Sequence, residues 1–277
     1  MKKLIALMLV GVMTAAMVTG CGSKKEEAAA PAETPAAEEA AEVTDMQYVL
    51  DKGVLVVGIT DFAPMDYKDA DGNWVGFDAD MAKAFAESLG VDVEFVEIDW
   101  DNKILELDGQ TIDCVWNGMT LTDEVKSAME TSNAYCNNAQ VVIVPAAEAD
   151  QYQDTDSLEG LVFAVEAGSA GEAEATALGL ECTPVKAQAD ALMEVAAGTS
   201  DAAVIDSLMA GAMVGEGTGY ADLTYTVGLN SEEYGVGFRK GSDLAAALND
   251  FFAAAYADGS MVECAETYGV EAALIAQ

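Results

Sequence analysis

Small polar residues follow several of the predicted strands, at the points where each strand ends. They are Asn117, Gly118 and Thr120 after one strand, Gly168, Ser169 and Ala170 after another, and Asp206 after a third. Loop amides, hydroxyl groups and helix N-termini beyond the carboxyl ends of parallel strands present hydrogen-bond donors to a ligand. This pattern predicts a binding site for a small polar molecule, although the same residues could instead only form turns and cap helices.

Two aromatic residues lie in comparable positions. Phe62, preceded by Asp61, follows the apolar run 53–59, and Trp100 follows the alternating run 91–96. Aromatic side chains at strand ends can pack on a bound molecule, but they could also be ordinary core residues. We expect Phe62, Trp100 and the segment 117–120 to converge, because the strands that carry them end at the same edge of one sheet.

The composition excludes several kinds of chemistry. The 277 residues contain no histidine, so histidine-based general bases, catalytic triads and histidine zinc sites are excluded. Acidic residues number 49 against 12 basic ones, and the formal net charge is −37. Such acidity disfavours nucleic acid and anionic lipid as partners. It could keep an extracytoplasmic protein soluble, or it could reflect selection for cationic ligands.

The N-terminal segment has the features of a lipoprotein export signal. A short basic start precedes an apolar run over 4–18, and small residues lead to Cys21. This order is typical of a cleavable signal peptide over 1–20, after which Cys21 would be acylated. An uncleaved membrane helix fits less well, because the apolar run is short. Residues 21–45 are rich in alanine, glutamate and proline, which predicts a disordered tether.

From residue 46 onward the chain has the pattern of alternating strands and helices. Apolar or alternating runs predict strands over 53–59, 91–96, 112–116, 140–144, 161–165, 202–205, 223–227 and 236–238. Helical periodicity predicts a helix capped by Asp78 or Asp80 and ended by Gly90, and two more over 243–257 and 261–268. The order of elements, with a weak internal echo between 109–117 and 198–206, predicts two α/β lobes around a cleft.

Six segments match a known family in order along the chain. They are GVLVVG (53–58), GFDADM (76–81), DWD (99–101), GMTLT (118–122), YGVGFRKG (234–241) and DG (258–259). With these segments the chain resembles the extracellular solute-binding proteins of amino-acid ABC importers, family 3. The resemblance implies a periplasmic-binding-protein-like fold of type II, with two lobes joined by two hinge strands. It implies lobe 1 at 46–139 plus 237–277 and lobe 2 at 140–236.

The resemblance also implies a function. The protein would be a monomeric receptor without a cofactor, lipid-anchored on the extracytoplasmic face of the membrane. It would capture a small polar solute, such as an amino acid or related amine, and deliver it to an ABC permease. Phe62 would stack on the ligand, and Trp100 would line the pocket. Further ligand positions would be 61, 117, 118, 120, 125 and 168–170. Asp206 would pair with the ligand's ammonium group, or else cap the helix that follows it.

Val125 departs from the family pattern. The family has an arginine at this position, and its planar fork grips the α-carboxylate of the ligand. The single arginine of this chain, Arg239, lies in a different motif. Lys126 would point about 100° away along a helix, whereas Lys103 is another possible cation. Either a lysine or backbone amides hold a carboxylate, or the ligand is cationic and lacks a carboxylate at that place.

Four cysteines follow Cys21 in the chain. An exported protein permits disulfides, and the family topology favours a bridge between Cys114 and Cys136, with buried free thiols as the alternative. Cys182 and Cys264 complete the set, and no metal-ligand spacing is present.

Two other classes of function are alternatives to a binding protein. A few members of this fold are dehydratases of cyclic amino acids, but the chain shows no recognisable acid–base pair, so we expect no enzyme. A surface adhesin would be distinguished by tight binding to a macromolecule without cleft closure.

Overall fold

The computed structural model describes residues 43–277. The predicted signal peptide over 1–20, the lipidation site at Cys21 and the tether up to residue 42 lie outside the described residues. The first helix begins at Asp45, inside the predicted tether. Thr44 caps this helix by accepting a hydrogen bond from the Gln47 amide, and the Asp45 carboxylate pairs with the Arg239 guanidinium at 3.0 Å. These two contacts order residues that were expected to be disordered.

The described residues form helices and strands in alternation. The helices are α1 (Asp45–Lys52), α2 (Phe77–Leu89), α3 (Lys103–Asp108), α4 (Asp123–Ala128), α5 (Ala170–Ala177), α6 (Gln188–Ala197), α7 (Ser207–Met213), α8 (Leu244–Asp258) and α9 (Ser260–Tyr268). The strands are β1 (Val54–Ile59), β2 (Tyr67–Lys68), β3 (Trp74–Val75), β4 (Asp92–Glu97), β5 (Cys114–Thr120), β6 (Glu130–Thr131), β7 (Cys136–Asn138), β8 (Gln140–Pro145), β9 (Val162–Glu166), β10 (Glu181–Val185), β11 (Ala202–Asp206), β12 (Leu223–Gly228) and β13 (Glu232–Phe238). Within residues 43–277, every helix is too short or too polar to span a bilayer.

Two mixed sheets organise these elements. The first has the order β4-β1-β5-β13-β6, with β7 paired to another part of β13, and the second has the order β10-β9-β11-β8-β12. In each sheet the central strands run parallel and one long neighbour runs antiparallel, β13 in the first and β8 in the second. The chain enters the second sheet at Gln140 and is back in the first by Glu232. The limits of the lobes, 46–139 plus 237–277 and 140–236, remain a prediction.

The first sheet is apolar because elements cover both of its faces. Leu55, Val57 and Ile59 of β1 are fully buried in a cluster that includes the inner face of α2. On the opposite face, Val56 packs against a cluster that contains Leu107 of α3. A strand covered on both sides needs a continuous apolar run, which is the pattern that predicted β1.

The cap predicted for α2 is wrong. Gly76 is the N-cap residue, and Asp78 and Asp80 lie in the first turn of the helix. A Cβ at position 76 would lie 2.1 Å from the Met65 carbonyl oxygen, and the backbone φ is +127°, so glycine alone fits. The predicted stop is correct, because Gly90 ends the helix with φ of +74°.

Residues 117–120 belong to a strand and not to the predicted loop. β5 continues to Thr120, which pairs with Tyr234 of β13. Gly118, with φ of +52°, breaks the apolar run and conceals this extension in the sequence. The chain turns only after Thr120, and Thr122 then caps α4.

The predicted bridge between Cys114 and Cys136 is wrong, because all four cysteines of the described residues are free thiols. Cys114 on β5 pairs with Phe238 of β13, whereas Cys136 on β7 pairs with Tyr234 of the same strand. These partners lie four positions apart on β13, which corresponds to roughly 13 Å along the strand. A disulfide needs Cα atoms within about 7 Å of each other, so the sheet register keeps the two thiols apart.

Candidate ligand-binding site

A cavity of about 280 Å³ lies where the strand ends of the two sheets face each other. Nine of the eleven predicted ligand residues line it: Phe62, Trp100, Asn117, Gly118, Thr120, Gly168, Ser169, Ala170 and Asp206. The first five belong to the first sheet and its connections, and the other four to the second, so the cavity lies between the lobes. Its volume is at the small end of the range for ligand pockets and suits a solute of amino-acid size.

Asp61 and Val125 do not line the cavity. Asp61 is exposed and lies in a separate groove beside Lys186. Val125 is only 3% exposed and packs with Trp100 and Met129 in an apolar cluster. The helix α4 turns this side chain toward the sheet. The position that would carry the carboxylate-binding arginine therefore contributes no polar group to the cavity.

Ten further residues line the cavity without having been predicted as ligand contacts. They are Thr60, Lys103, Met119, Thr122, Asp123, Glu124, Gln140, Glu166, Ala173 and Gln188. Lys103 was considered only as a possible cation. Glu166 ends β9 and Gln140 begins β8, so a signal for both was present in the sequence: each is a polar residue at the border of an apolar run.

The polar wall contributed by β5 is held by internal hydrogen bonds. Asn117 Oδ1 accepts from the Thr60 amide at 2.9 Å and from the Thr60 hydroxyl at 2.8 Å. Its Nδ2 donates to the Thr60 carbonyl oxygen at 3.2 Å and to Asp66 Oδ2 at 2.7 Å. Four bonds fill the capacity of a side-chain amide that can donate two hydrogens and accept two. Asn117 therefore shapes the cavity and leaves recognition to other groups.

Two buried carboxyl groups lie behind this wall. Asp78 Oδ2 accepts from the Gly118 amide and from the Tyr135 hydroxyl, each at 2.7 Å. Burial raises the pKa of Asp78 to about 7. Burial and the neighbouring Asp78 raise the pKa of Asp66 well above its usual range. Both acids fix the backbone and side chains of the cavity wall.

Asp206 accepts hydrogen bonds from three side-chain amides. Asn138 Nδ2 and Gln140 Nε2 both donate to Asp206 Oδ1, and Gln188 Nε2 donates to Asp206 Oδ2. Asp206 is the N-cap residue of α7, but its side chain makes no capping hydrogen bond, so the alternative of a side-chain cap is wrong. Burial, and next the charge of Glu232, raise the pKa of Asp206 to about 8.

Glu166 is the second buried carboxyl group on the wall. It is 3% exposed, and its Oε1 has no hydrogen-bond partner among the described residues. Burial, and next the charge of Asp206, raise the pKa of Glu166 to about 8. The cavity therefore has an acidic end in lobe 2, formed by Glu166 and Asp206.

Lys103 is the one cationic residue among those that line the described cavity. Its Nζ donates to the Gly168 carbonyl oxygen at 2.9 Å and to the Trp100 carbonyl oxygen at 3.2 Å. It thereby links α3 in the first lobe to the loop after β9 in the second. Burial lowers the pKa of Lys103. One of the three ammonium hydrogens remains for a ligand group.

Metal binding has no support in the described residues. Within 43–277, no group of three or more cysteine, aspartate or glutamate side chains is arranged to hold a metal ion.

Comparison with known proteins gives a consistent result. The model of the bacterial extracellular solute-binding proteins, family 3, matches residues 55–271. A probable histidine-binding protein of Neisseria gonorrhoeae is 29% identical over 249 residues, covering 88% of this chain and 86% of that protein. The L-arginine-binding protein of Pseudomonas aeruginosa is 30% identical over 236 residues, covering 80% and 89%.

The structure is also similar to solved structures. An ABC uptake transporter substrate-binding protein from Streptococcus pneumoniae with bound histidine matches with a TM-score of 0.77 at 30% identity, covering 83% of this chain and 98% of that one. This likeness confirms the predicted two-lobed α/β fold. A shorter match is to an enzyme, the cyclohexadienyl dehydratase of Pseudomonas aeruginosa, at 27% identity over 48% of this chain and 50% of that protein.

Proposed function

Because the chain belongs to family 3 of the bacterial extracellular solute-binding proteins, we propose that it is a lipid-anchored receptor of an ABC importer. It captures an amino acid or a related amine in the cavity between its lobes and delivers it to the permease. The observation that carries this proposal is the cavity itself, which measures about 280 Å³ and to which lobe 1 contributes a lysine and two aromatic residues and lobe 2 contributes the acidic end. Relatives that are named for histidine and arginine binding support an amino-acid-sized ligand.

A second candidate is a cationic ligand without the usual α-carboxylate. Val125 favours it, because no arginine fork reaches the cavity. Glu166 and Asp206 favour it too, because a cation beside two buried acids would favour their ionised forms and pair with them. Lys103 instead supports an amino acid with both an ammonium group and a carboxylate, since one of the lysine's ammonium hydrogens could hold the carboxylate.

The membrane anchor is part of the proposal and rests on the sequence before Cys21. Acyl chains on this cysteine would hold the protein firmly at the membrane surface. We expect that Cys21→Ala releases the mature protein from the membrane fraction, and that intact-mass measurement of the unaltered protein shows an acylated N-terminal residue. An unmodified N-terminus would contradict lipid anchoring without affecting solute binding.

Mass spectrometry of solutes that co-purify with the protein tests the receptor function directly. Candidates are then measured by calorimetry, and lobe closure is followed by small-angle X-ray scattering with and without solute. We expect a small amino compound to bind and to reduce the radius of gyration. If no amino acid or amine binds or stabilises the protein, the receptor function is wrong.

The likeness to a dehydratase supports an enzyme as a further candidate. Turnover of a cyclohexadienyl substrate would establish it. We expect no turnover, because most of the relatives are named as binding proteins.

A further inference from the structure

The acidic end of the cavity contains two carboxyl groups with different free hydrogen-bonding capacity. We propose that Glu166, rather than Asp206, is the principal partner of a cationic head group on the ligand, and that Glu166 therefore selects ammonium or guanidinium compounds. The inference rests on the proposed function, because it names the chemical class that the solute cavity takes.

Asp206 has little capacity left for a ligand. A carboxylate offers about four lone-pair sites, and three of them accept amide hydrogens from Asn138, Gln140 and Gln188. Asn138 and Gln140 donate their second amide hydrogens to Glu232 Oε1, at 2.7 and 2.8 Å. Asp206 thus joins β11 to β8 and, through Glu232, to β13. This arrangement is a structural crosslink.

Glu166 differs from Asp206 because one of its carboxylate oxygens accepts no hydrogen bond. Glu166 lines the cavity, and its Oε1 is buried and receives no hydrogen from any described residue. Lys103 lines the same cavity from the other lobe, but its ammonium group donates to the carbonyl oxygens of Gly168 and Trp100 and forms no ion pair with Glu166 among the described residues. A buried acceptor without a donor is unfavourable, and a ligand N–H is the donor that the closed cavity would admit.

Gln140 adds a second open acceptor. Its Nε2 donates to Asp206 and Glu232, whereas its Oε1 is buried without a partner, and the residue lines the same cavity. A head group that carries several N–H donors has hydrogens for more than one acceptor of this wall. Ammonium has three donors and guanidinium has five, whereas a hydroxyl group has only one.

The test begins with the unaltered protein and a panel of probes. Thermal shift and calorimetry are measured with L-arginine, L-ornithine, agmatine and putrescine, and with L-glutamine and L-citrulline as comparators without a side-chain charge. We expect the tightest binder to be one of the cationic compounds. Glu166→Gln should then weaken that binder by roughly 30-fold or more, as expected when a buried ionic hydrogen bond is removed.

The stability of the ligand-free protein separates recognition from a structural role. Glu166→Gln and the apolar Glu166→Met should leave the melting temperature unchanged or raise it, because each removes a buried acid whose Oε1 lacks a hydrogen-bond donor. Asp206→Asn should lower it, because the new amide group would face amide donors. Glu181→Gln is the matched control, since Glu181 is exposed on β10, which pairs with β9, and does not line the cavity, and we expect a change in affinity of less than about threefold.

Three results would overturn the inference. The first is full affinity in Glu166→Gln or Glu166→Met together with loss of binding in a folded Asp206→Asn protein. The second is a fall in both affinity and ligand-free stability in both Glu166 variants. The third is selective binding of a neutral probe, which would leave the receptor function in place. Absence of binding to every amino acid and amine would instead reject the proposed function on which the inference depends.

Discussion

Gly118 of β5 lies against the aromatic ring of Phe62, which lines the cavity. A Cβ at this position would lie 2.3 Å from Phe62 Cε1 and 3.2 Å from Tyr234 Cε2, and the backbone φ is +52°. Gly53 has a similar φ of +75°, but no atom lies within 4 Å of the corresponding Cβ. The two glycines therefore share the cost of a left-handed conformation, whereas the steric clash exists only at Gly118.

This comparison predicts different costs for the same substitution. We expect Gly118→Ala to lower the free energy of unfolding by about 1–3 kcal/mol more than Gly53→Ala, because the Phe62 ring must move. Gly118→Ala should also weaken solute binding, whereas Gly53→Ala should not. Urea unfolding and calorimetry measure both effects. Equal losses of stability in the two variants would show that the ring has room to relax.

At the scale of the elements, two lysines connect the lobes in different ways. Lys103 at the start of α3 is buried and donates to the Gly168 carbonyl oxygen before α5. Lys186, after β10, lies 3.7 Å from Glu97 and 3.8 Å from Asp99, with 58% of its side chain exposed. Exposed ion pairs contribute little, whereas a buried charged hydrogen bond is worth about 1.5–3 kcal/mol.

We therefore predict that Lys103→Met weakens the favoured solute by about tenfold or more and increases the radius of gyration in the presence of solute. Lys186→Met removes the other lysine contact between the lobes and serves as the matched control. We expect the affinity for solute to change by less than about threefold. Calorimetry and small-angle X-ray scattering measure the two variants. An equal effect of both would mean that charge alone, and not burial, holds the lobes together.

Local patterns in the sequence identified most of the elements but not their partners. The apolar runs predicted β1, β8 and β9 within a residue or two, because a buried strand needs continuous apolar residues. The same reasoning ended β5 at Trp116. The strand continues beyond that residue because it pairs with β13, which lies more than a hundred residues away in the sequence. The position of Asp206 was likewise visible, but its amide partners come from β7, β8 and α6, and no local pattern reports such contacts.

For the molecule as a whole, buried acids determine how stability responds to pH. The pKa of Asp78 is raised to about 7, and those of Glu166 and Asp206 to about 8, in each case chiefly by burial. The unfolded chain releases these protons near the ordinary pKa, which is 3.8 for aspartate. Between about pH 4 and pH 8 the folded state therefore holds more protons than the unfolded state. Its stability must fall as the pH rises through this window.

We accordingly predict that the melting temperature of the ligand-free protein rises as the pH is lowered from 8 to 5. For Asp78 alone, the shift from 3.8 to about 7 corresponds to on the order of 4 kcal/mol. Asp78→Asn retains an oxygen for the Gly118 amide and the Tyr135 hydroxyl and cannot ionise, so it should stabilise the protein at pH 8 and flatten the pH dependence. Asp92→Asn removes an exposed carboxylate on β4 and should leave the slope unchanged. Denaturant unfolding at several pH values measures all three proteins, and a wild-type stability that increases from pH 5 to pH 8 would show that these acids are ionised in the folded state.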